Sequence, residues 1–151
     1  HAMAAGMTLL PANLARFSQA FAEEVARRAD PAMLSGVLLT DGALAAPELC
    51  LETAEHLRNG GPWGQAFPEP VFDGEFAVVE QRTLGDRHLK LWVRPDPHAA
   101  PIEAIAFGWL ARPGQDVPRA QQRAHLVYRL DVNEYQGVRR PQLLLDYLEC
   151  R

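Results

Sequence analysis

The chain has 151 residues, 48% of them hydrophobic, and a formal net charge of −4. That is enough apolar material for one packed domain or two small ones, with no apolar run that could span a bilayer and no signal-peptide pattern. Its two cysteines, Cys50 and Cys150, have no metal-ligand spacing around them, which excludes a disulfide scaffold and points to a reducing, cytoplasmic setting.

In chain order, Met7 to Leu10 reads as a short apolar strand. Pro11 suits the first turn of a helix. Leu14, Phe17, Phe21 and Val25 then recur at helical spacing, with Arg16, Glu23, Glu24, Arg27 and Arg28 elsewhere on the cylinder. Ala29-Asp30-Pro31 ends that helix. Ser35 to Gly42 reads as a short buried strand closing in an Asp-Gly turn. Pro47 opens a second helix carrying Leu49, Ala54 and Leu57, and Asn59-Gly60-Gly61 stops it.

The stretch Gly60 to Pro70 holds three glycines and three prolines, so it is neither helix nor long strand. It nevertheless carries two large rings, Trp63 and Phe67. Buried aromatics at a joint are commoner than exposed stacking platforms, so the pair reads first as a structural pin and second as a surface for a base.

After Val71 the periodicity changes from 3.6 to 2. Glu75 to Leu84 is a strand. In the next, Arg87 to Arg94, Leu89, Leu91 and Val93 face one way and His88, Lys90, Trp92 and Arg94 the other. Ile102 to Trp109 is a third strand. Ala124 to Tyr135 is a fourth, with Leu126, Tyr128, Leu130 and Val132 on one face. Gln136-Gly137 makes a tight turn into a fifth, Arg139 to Glu149. Five short strands without a crossover helix argue for a small antiparallel barrel. The fold class is therefore α+β, with an N-terminal strand and helix followed by a five-stranded barrel.

Charge is unevenly spread. Asp41 to Glu80 holds eight acidic residues against Arg58 alone. Arg82, Arg87, Lys90 and Arg94 then face only Asp86, and Arg119, Arg123, Arg129, Arg139 and Arg140 face Asp131 and Glu134. Two basic segments folded side by side build a local positive face. Single-stranded nucleic acid asks for cations at its phosphates and flat rings at its bases, and His88, Lys90, Trp92 and Arg94 supply both from one strand face. A charged outer face also fits any half-exposed sheet, and both readings stand at this point.

Signs of catalysis are absent. Ser18 and Ser35 lie outside any nucleophile-elbow context, the glycines of Asn59 to Gln65 are not followed by a phosphate-loop Lys-Ser/Thr, and the five histidines form no ligand pair. Glu52 and Glu55 read as a solvated helix face.

Five segments carry a family resemblance. His1 to Gly6, HAMAAG, resembles the end of the glycine-rich histidine motif of the DHH-associated domain of DHH-superfamily phosphoesterases. GPWGQAFPEPVFDG resembles the connector before the barrel in the RecJ exonucleases. RTLGDRHLKLWV, IEAIAFGW and HLVYRLDVNEYQG resemble successive strands of the RecJ oligonucleotide-binding (OB) domain. The resemblance covers nearly the whole chain.

It implies the C-terminal portion of a single-stranded-DNA-specific exonuclease that works from the 5′ end in DNA repair and recombination. In that family, Mn2+ or Mg2+ is held by an N-terminal DHH domain that this sequence lacks, so no cofactor and no complete catalytic set are expected here. His1 reads as native and as a remnant of the substrate-phosphate motif. The expected organisation is the end of the DHH-associated domain at 1–33, a linking strand, helix and connector at 34–70, and the OB barrel at 71–150. The residues expected to meet DNA are Arg82, Arg87, His88, Lys90 and Trp92, then Arg129, Asn133 and Arg139. The implied partners are single-stranded DNA and the missing DHH domain, with no membrane. The alternative is a protein-interaction module that docks single-strand-binding protein through its acidic tail.

Overall fold

A computed structural model describes residues 4–30, 36–112, 114–115 and 117–151. His1, the expected remnant of a phosphate motif, lies outside the described residues. The chain divides into two compact units, His1–Leu38 and Leu39–Arg151.

In the first unit, a 3-10 turn at Pro11–Asn13 leads into helix α1, Leu14–Arg28. Proline's missing N–H is no loss at a helix start. Leu14, Phe21 and Val25 are exposed, and Phe17 stacks on Phe21 with centroids 5.7 Å apart. The expected strand at Met7 to Leu10 does not form. An apolar run becomes a strand only against a ladder partner, and the described residues supply none.

The same correction applies to the expected strand at Ser35 to Gly42, whose described residues, from Gly36 on, form no strand and leave Val37, Leu38 and Leu39 exposed. Its end instead clips onto the start of the barrel. Asp41 N–H donates to the Val71 carbonyl at 2.7 Å, Asp73 N–H to the Gly42 carbonyl at 3.1 Å, and the Thr40 hydroxyl to the Asp73 carboxylate at 2.6 Å.

The second unit is a closed five-stranded barrel in the order β1-β2-β3-β5-β4. Its strands are β1 (Phe72–Leu84), β2 (His88–Arg94), β3 (Ile102–Ala106), β4 (Arg123–Tyr135) and β5 (Val138–Cys150). Four pairings are antiparallel and the fifth, β3 with β5, is parallel. An odd number of strands cannot alternate all the way round a ring, so one parallel pair is obligatory. The expected five-stranded antiparallel barrel thus forms, with this one parallel seam closing it. Strands β1 and β5 each carry a bulge, with Val79 the extra residue facing Trp92/Val93 and Asp146 the extra residue facing Val127/Tyr128. Bending lets β1 pair with β4 along its first half and with β2 along its second.

The alternation in β2 sorts its side chains as expected. Leu89, Leu91 and Val93 are fully buried beside Ala104, Leu126, Leu130 and Leu143, and Phe72 and Phe76 pack around Tyr128. Strand β3 stops at Ala106, short of the expected Trp109. Gly108 takes a left-handed φ of 65°, and Trp109 then turns into the core as the start of a 3-10 turn, 2% exposed. Gln136 and Gly137 both have positive φ, 51° and 76°, which gives the β4–β5 hairpin the twist that suits a two-residue loop.

Helix α2 spans Leu51–Asn59 and begins later than Pro47. Pro47 sits in a separate 3-10 turn, Ala46–Glu48, closed by the Glu48 carboxylate accepting Ala45 N–H at 2.6 Å. The helix buries Ala54 completely, and Leu51 and Leu57 partly, against the barrel core. Arg58 ties its end to β4, donating to the Asp131 carboxylate at 2.9 Å and to the Val132 carbonyl. No described helix is long and apolar enough to cross a membrane.

Candidate nucleic-acid interface

A groove of about 590 Å³ lies between the β1–β2 and β4–β5 hairpins on the outside of the barrel. Arg82 on β1, Lys90 on β2, Glu103 on β3, Asn133 and Tyr135 on β4, and Arg140 on β5 line it. A second depression shares Glu103, Asn133 and Arg140 with it and adds Trp92, Ile102 and Pro141. Together they make one trough across the sheet.

Register explains why these side chains meet. Arg82 lies opposite Lys90, Trp92 opposite Glu103, and Asn133 opposite Arg140. Opposite residues in paired strands share a face, so side chains far apart in sequence converge on one outer surface. Lys90 and Trp92 are two apart on β2, and the ammonium stands 5.2 Å from the indole centroid. An indole face attracts a cation electrostatically. Trp92 is half-buried and presents a ring at the edge of the trough.

The trough is not uniformly basic. Lys90 Nζ is 2.6 Å from Glu103 Oε2, and both side chains are largely enclosed, at 17% and 22% exposure. Glu103 Oε1 also accepts from Asn133 Nδ2 at 3.3 Å and from Gln142 Nε2. Glu80 lies opposite Trp92 on its other side. Arg82 and Arg140 are exposed at the rim.

The remaining expected contact residues are placed elsewhere. Arg87 is exposed in the β1–β2 turn. His88 points at the chain after β3, where its Nδ1 accepts Gly108 N–H at 2.8 Å and its ring meets the exposed Phe107 edge-on at 5.4 Å. Arg129 is held by Asp146 and Glu69, each at 3.2 Å. Burial pulls its guanidinium down, and the two carboxylates more than offset this, so the net shift is upward. Arg139 pairs with Glu55 of α2 at 2.8 Å and with Glu134 at 3.8 Å. These last two arginines are engaged in joining elements together.

Glu103, Tyr135 and Arg140 were not singled out from sequence. Tyr135 and Arg140 flank the recognisable Gln136-Gly137 turn, so a reading that treated both sides of that turn as groove walls had the means to find them. Glu103 carried no such mark.

In the connector, Trp63 and Phe67 stack with centroids 4.8 Å apart and planes 22° apart. A small turn, with Gly64 and Phe67 exchanging backbone hydrogen bonds at 2.8 and 3.0 Å, sets the rings side by side. Trp63 Nε1 donates to the Leu57 carbonyl at 2.8 Å, so the pair closes over the C-terminus of α2.

Among the described residues, no group of three or more His, Cys, Asp or Glu is placed to hold a metal ion.

The family described as the RecJ OB domain matches residues 40–147. The chain is 47% identical over 150 residues to the single-stranded-DNA-specific exonuclease RecJ of Dickeya dadantii, covering 98% of this chain and 25% of that protein. It is 42% identical over 151 residues to the protein of that name from Escherichia coli, covering 97% and 25%. This chain thus spans about a quarter of the length of the curated relatives it matches. Among solved structures, RecJ from Thermus thermophilus in complex with Mn2+ superposes with a TM-score of 0.62 at 22% identity, over 95% of this chain and 20% of that one, which establishes the shared fold.

Proposed function

The chain belongs to the RecJ OB-domain family, and from that premise we propose that it holds single-stranded DNA for an exonuclease working from the 5′ end in DNA repair and recombination. The observation that carries this reading is the trough between the two hairpins, with Trp92 and Lys90 on its β2 wall and Arg82 and Arg140 at its rim. A strand laid there stacks a base on Trp92 and sets its phosphates against the two arginines. Stacking is sequence-tolerant because every base has a π-face, and phosphate contacts weaken with salt. The interaction is therefore sequence-indifferent and salt-sensitive.

In this reading, 1–33 is the end of the DHH-associated domain, 34–70 the link and 71–150 the binding barrel of a longer cytoplasmic enzyme. Hydrolysis, with Mn2+ or Mg2+, belongs to a DHH domain outside these residues, and this stretch alone binds without cleaving. The test is anisotropy of labelled oligothymidine at several salt concentrations. Binding that weakens as salt rises, and that loses slope in Arg82→Ala/Arg140→Ala, supports the reading. No binding at low salt and high micromolar protein sinks it.

The second reading, docking of the acidic tail of single-strand-binding protein, draws on the same rim arginines and on the apolar wall of Leu49, Pro101 and Ile102 beyond Trp92. An acidic peptide that binds to a chain that ignores oligothymidine favours it.

A further inference from the structure

The carboxylate in the middle of the trough is its least expected feature. A surface built only to attract phosphate has no use for an acid at its centre, since like charge repels the ligand. Glu103 is nevertheless more than tolerated there. It takes Lys90 on one oxygen and Asn133 and Gln142 on the other, so residues from β2, β4 and β5 converge on one side chain of β3.

Two of those three partners line the trough themselves. The ammonium of Lys90 is already neutralised before any strand arrives, and it is held within reach of the Trp92 ring.

We infer that Glu103 acts as a built-in competitor for the DNA phosphate, a specificity residue that limits how tightly Lys90 grips the strand. This rests on the proposed binding of single-stranded DNA along the trough. When a phosphate approaches, Lys90 exchanges one anion for another, and Glu103 keeps its amide donors from Asn133 and Gln142. When the strand moves on, the ammonium returns to the carboxylate. The exchange is nearly balanced, so no single register of the strand is strongly favoured. A surface of this kind holds a strand while letting it slide, which suits a polymer fed through in steps.

The inference has a thermodynamic signature. Each phosphate neutralised on a single strand steepens the dependence of log K on log salt by about 0.7. In the native protein the Lys90 contact adds little to that slope, because Glu103 must take up a cation once its partner leaves. In Glu103→Gln the ammonium is unpaired beforehand and the full increment returns.

The experiment is a salt series of oligothymidine anisotropy on the native chain, on Glu103→Gln, on Lys90→Gln and on the double variant. Glutamine keeps the size of the side chain and an acceptor for the amides, and thermal melting checks that the barrel is intact. Glu103→Ala serves as a second variant and must give the same change in slope. Expected for Glu103→Gln is binding roughly three- to tenfold tighter at low salt, with a slope steeper by about 0.7. That gain should vanish when Lys90 is also replaced.

Unchanged or weaker binding by Glu103→Gln, or an unchanged slope, overturns the inference while leaving the binding reading intact. A gain that persists without Lys90 also overturns it, because the carboxylate then acts by general repulsion alone. No binding by any of the proteins at low salt removes the DNA-binding reading and the inference together.

Discussion

Trp63 stacks on Phe67 at 4.8 Å while its indole N–H reaches back to the carbonyl of Leu57 at 2.8 Å. One ring pair thereby joins the connector to the helix that precedes it. Gly61 lies beneath the pair, where a Cβ would stand 2.6 Å from Phe67 Cε1. The glycine-rich composition and the aromatic rings are two halves of one device: the first leaves room and the second fills it.

Trp63→Ala removes the stack and the hydrogen bond, and is expected to lower stability by about 2–3 kcal/mol, less than for a fully buried ring. Gly61→Ala should lower it by about 1–2 kcal/mol by pushing Phe67 off its partner. Thermal melting reads both. If Trp63→Ala melts like the native chain yet binds oligonucleotide more weakly, the pair is a base platform instead of a pin.

Trp92 and Trp63 should separate cleanly. Trp92→Ala is expected to weaken oligothymidine binding by about 1–3 kcal/mol, the worth of one stacked base, and Trp92→Phe to recover much of that. Melting of Trp92→Phe should stay near native. Equal affinities for the native chain and Trp92→Ala would take the indole out of the binding surface.

The arginines divide by role. Arg129 is clamped between Glu69 and Asp146 and joins the connector to β5. Arg129→Ala should cost about 1 kcal/mol of stability and leave the salt dependence of binding unchanged. Arg140 lines the trough, and Arg140→Ala should reduce the salt slope by about 0.7 with little effect on melting. The opposite pattern would exchange the two assignments.

Tyr128 is 1% exposed at the centre of the barrel, and burial pushes its phenol up from 10.0 to about 12, with smaller upward pushes from Asp73 and Glu48 and a backbone hydrogen bond from Leu44 working against them. The unfolded chain loses this proton first. Its contribution to stability is therefore complete below about pH 10 and falls, by roughly 2 kcal/mol, as pH rises from about 10 to about 12. Phenolate absorbance, compared between the native chain and Tyr128→Phe, should place the Tyr128 titration at about 12. Alkaline unfolding should be shallower in Tyr128→Phe, and equal pH dependence of the two proteins would refute the assignment.

Much of the barrel was legible because strand faces are a local property. In His88–Arg94 each side chain's orientation follows from its immediate neighbours, so inward Leu89, Leu91 and Val93 could be named before any partner strand was known. The turn at Gln136-Gly137 is equally local, since two residues with positive φ set the hairpin. Met7 to Leu10 and Gly36 to Gly42 have strand-like composition and no strand, because a ladder partner is a property of the rest of the fold.

What the residue order determined by itself was periodicity, turn chemistry and the split of charge along the chain, all of which act over a few residues. What only the tertiary structure decided was pairing. Lys90 meets Glu103 across one strand register, Arg129 meets Glu69 across sixty residues, and Arg58 meets Asp131 across a longer span still. Whether a cation is left for a ligand or neutralised at home depends on distances of a few ångströms, because charge attraction falls with separation and solvent screening. Those distances exist only once the ring of strands has closed.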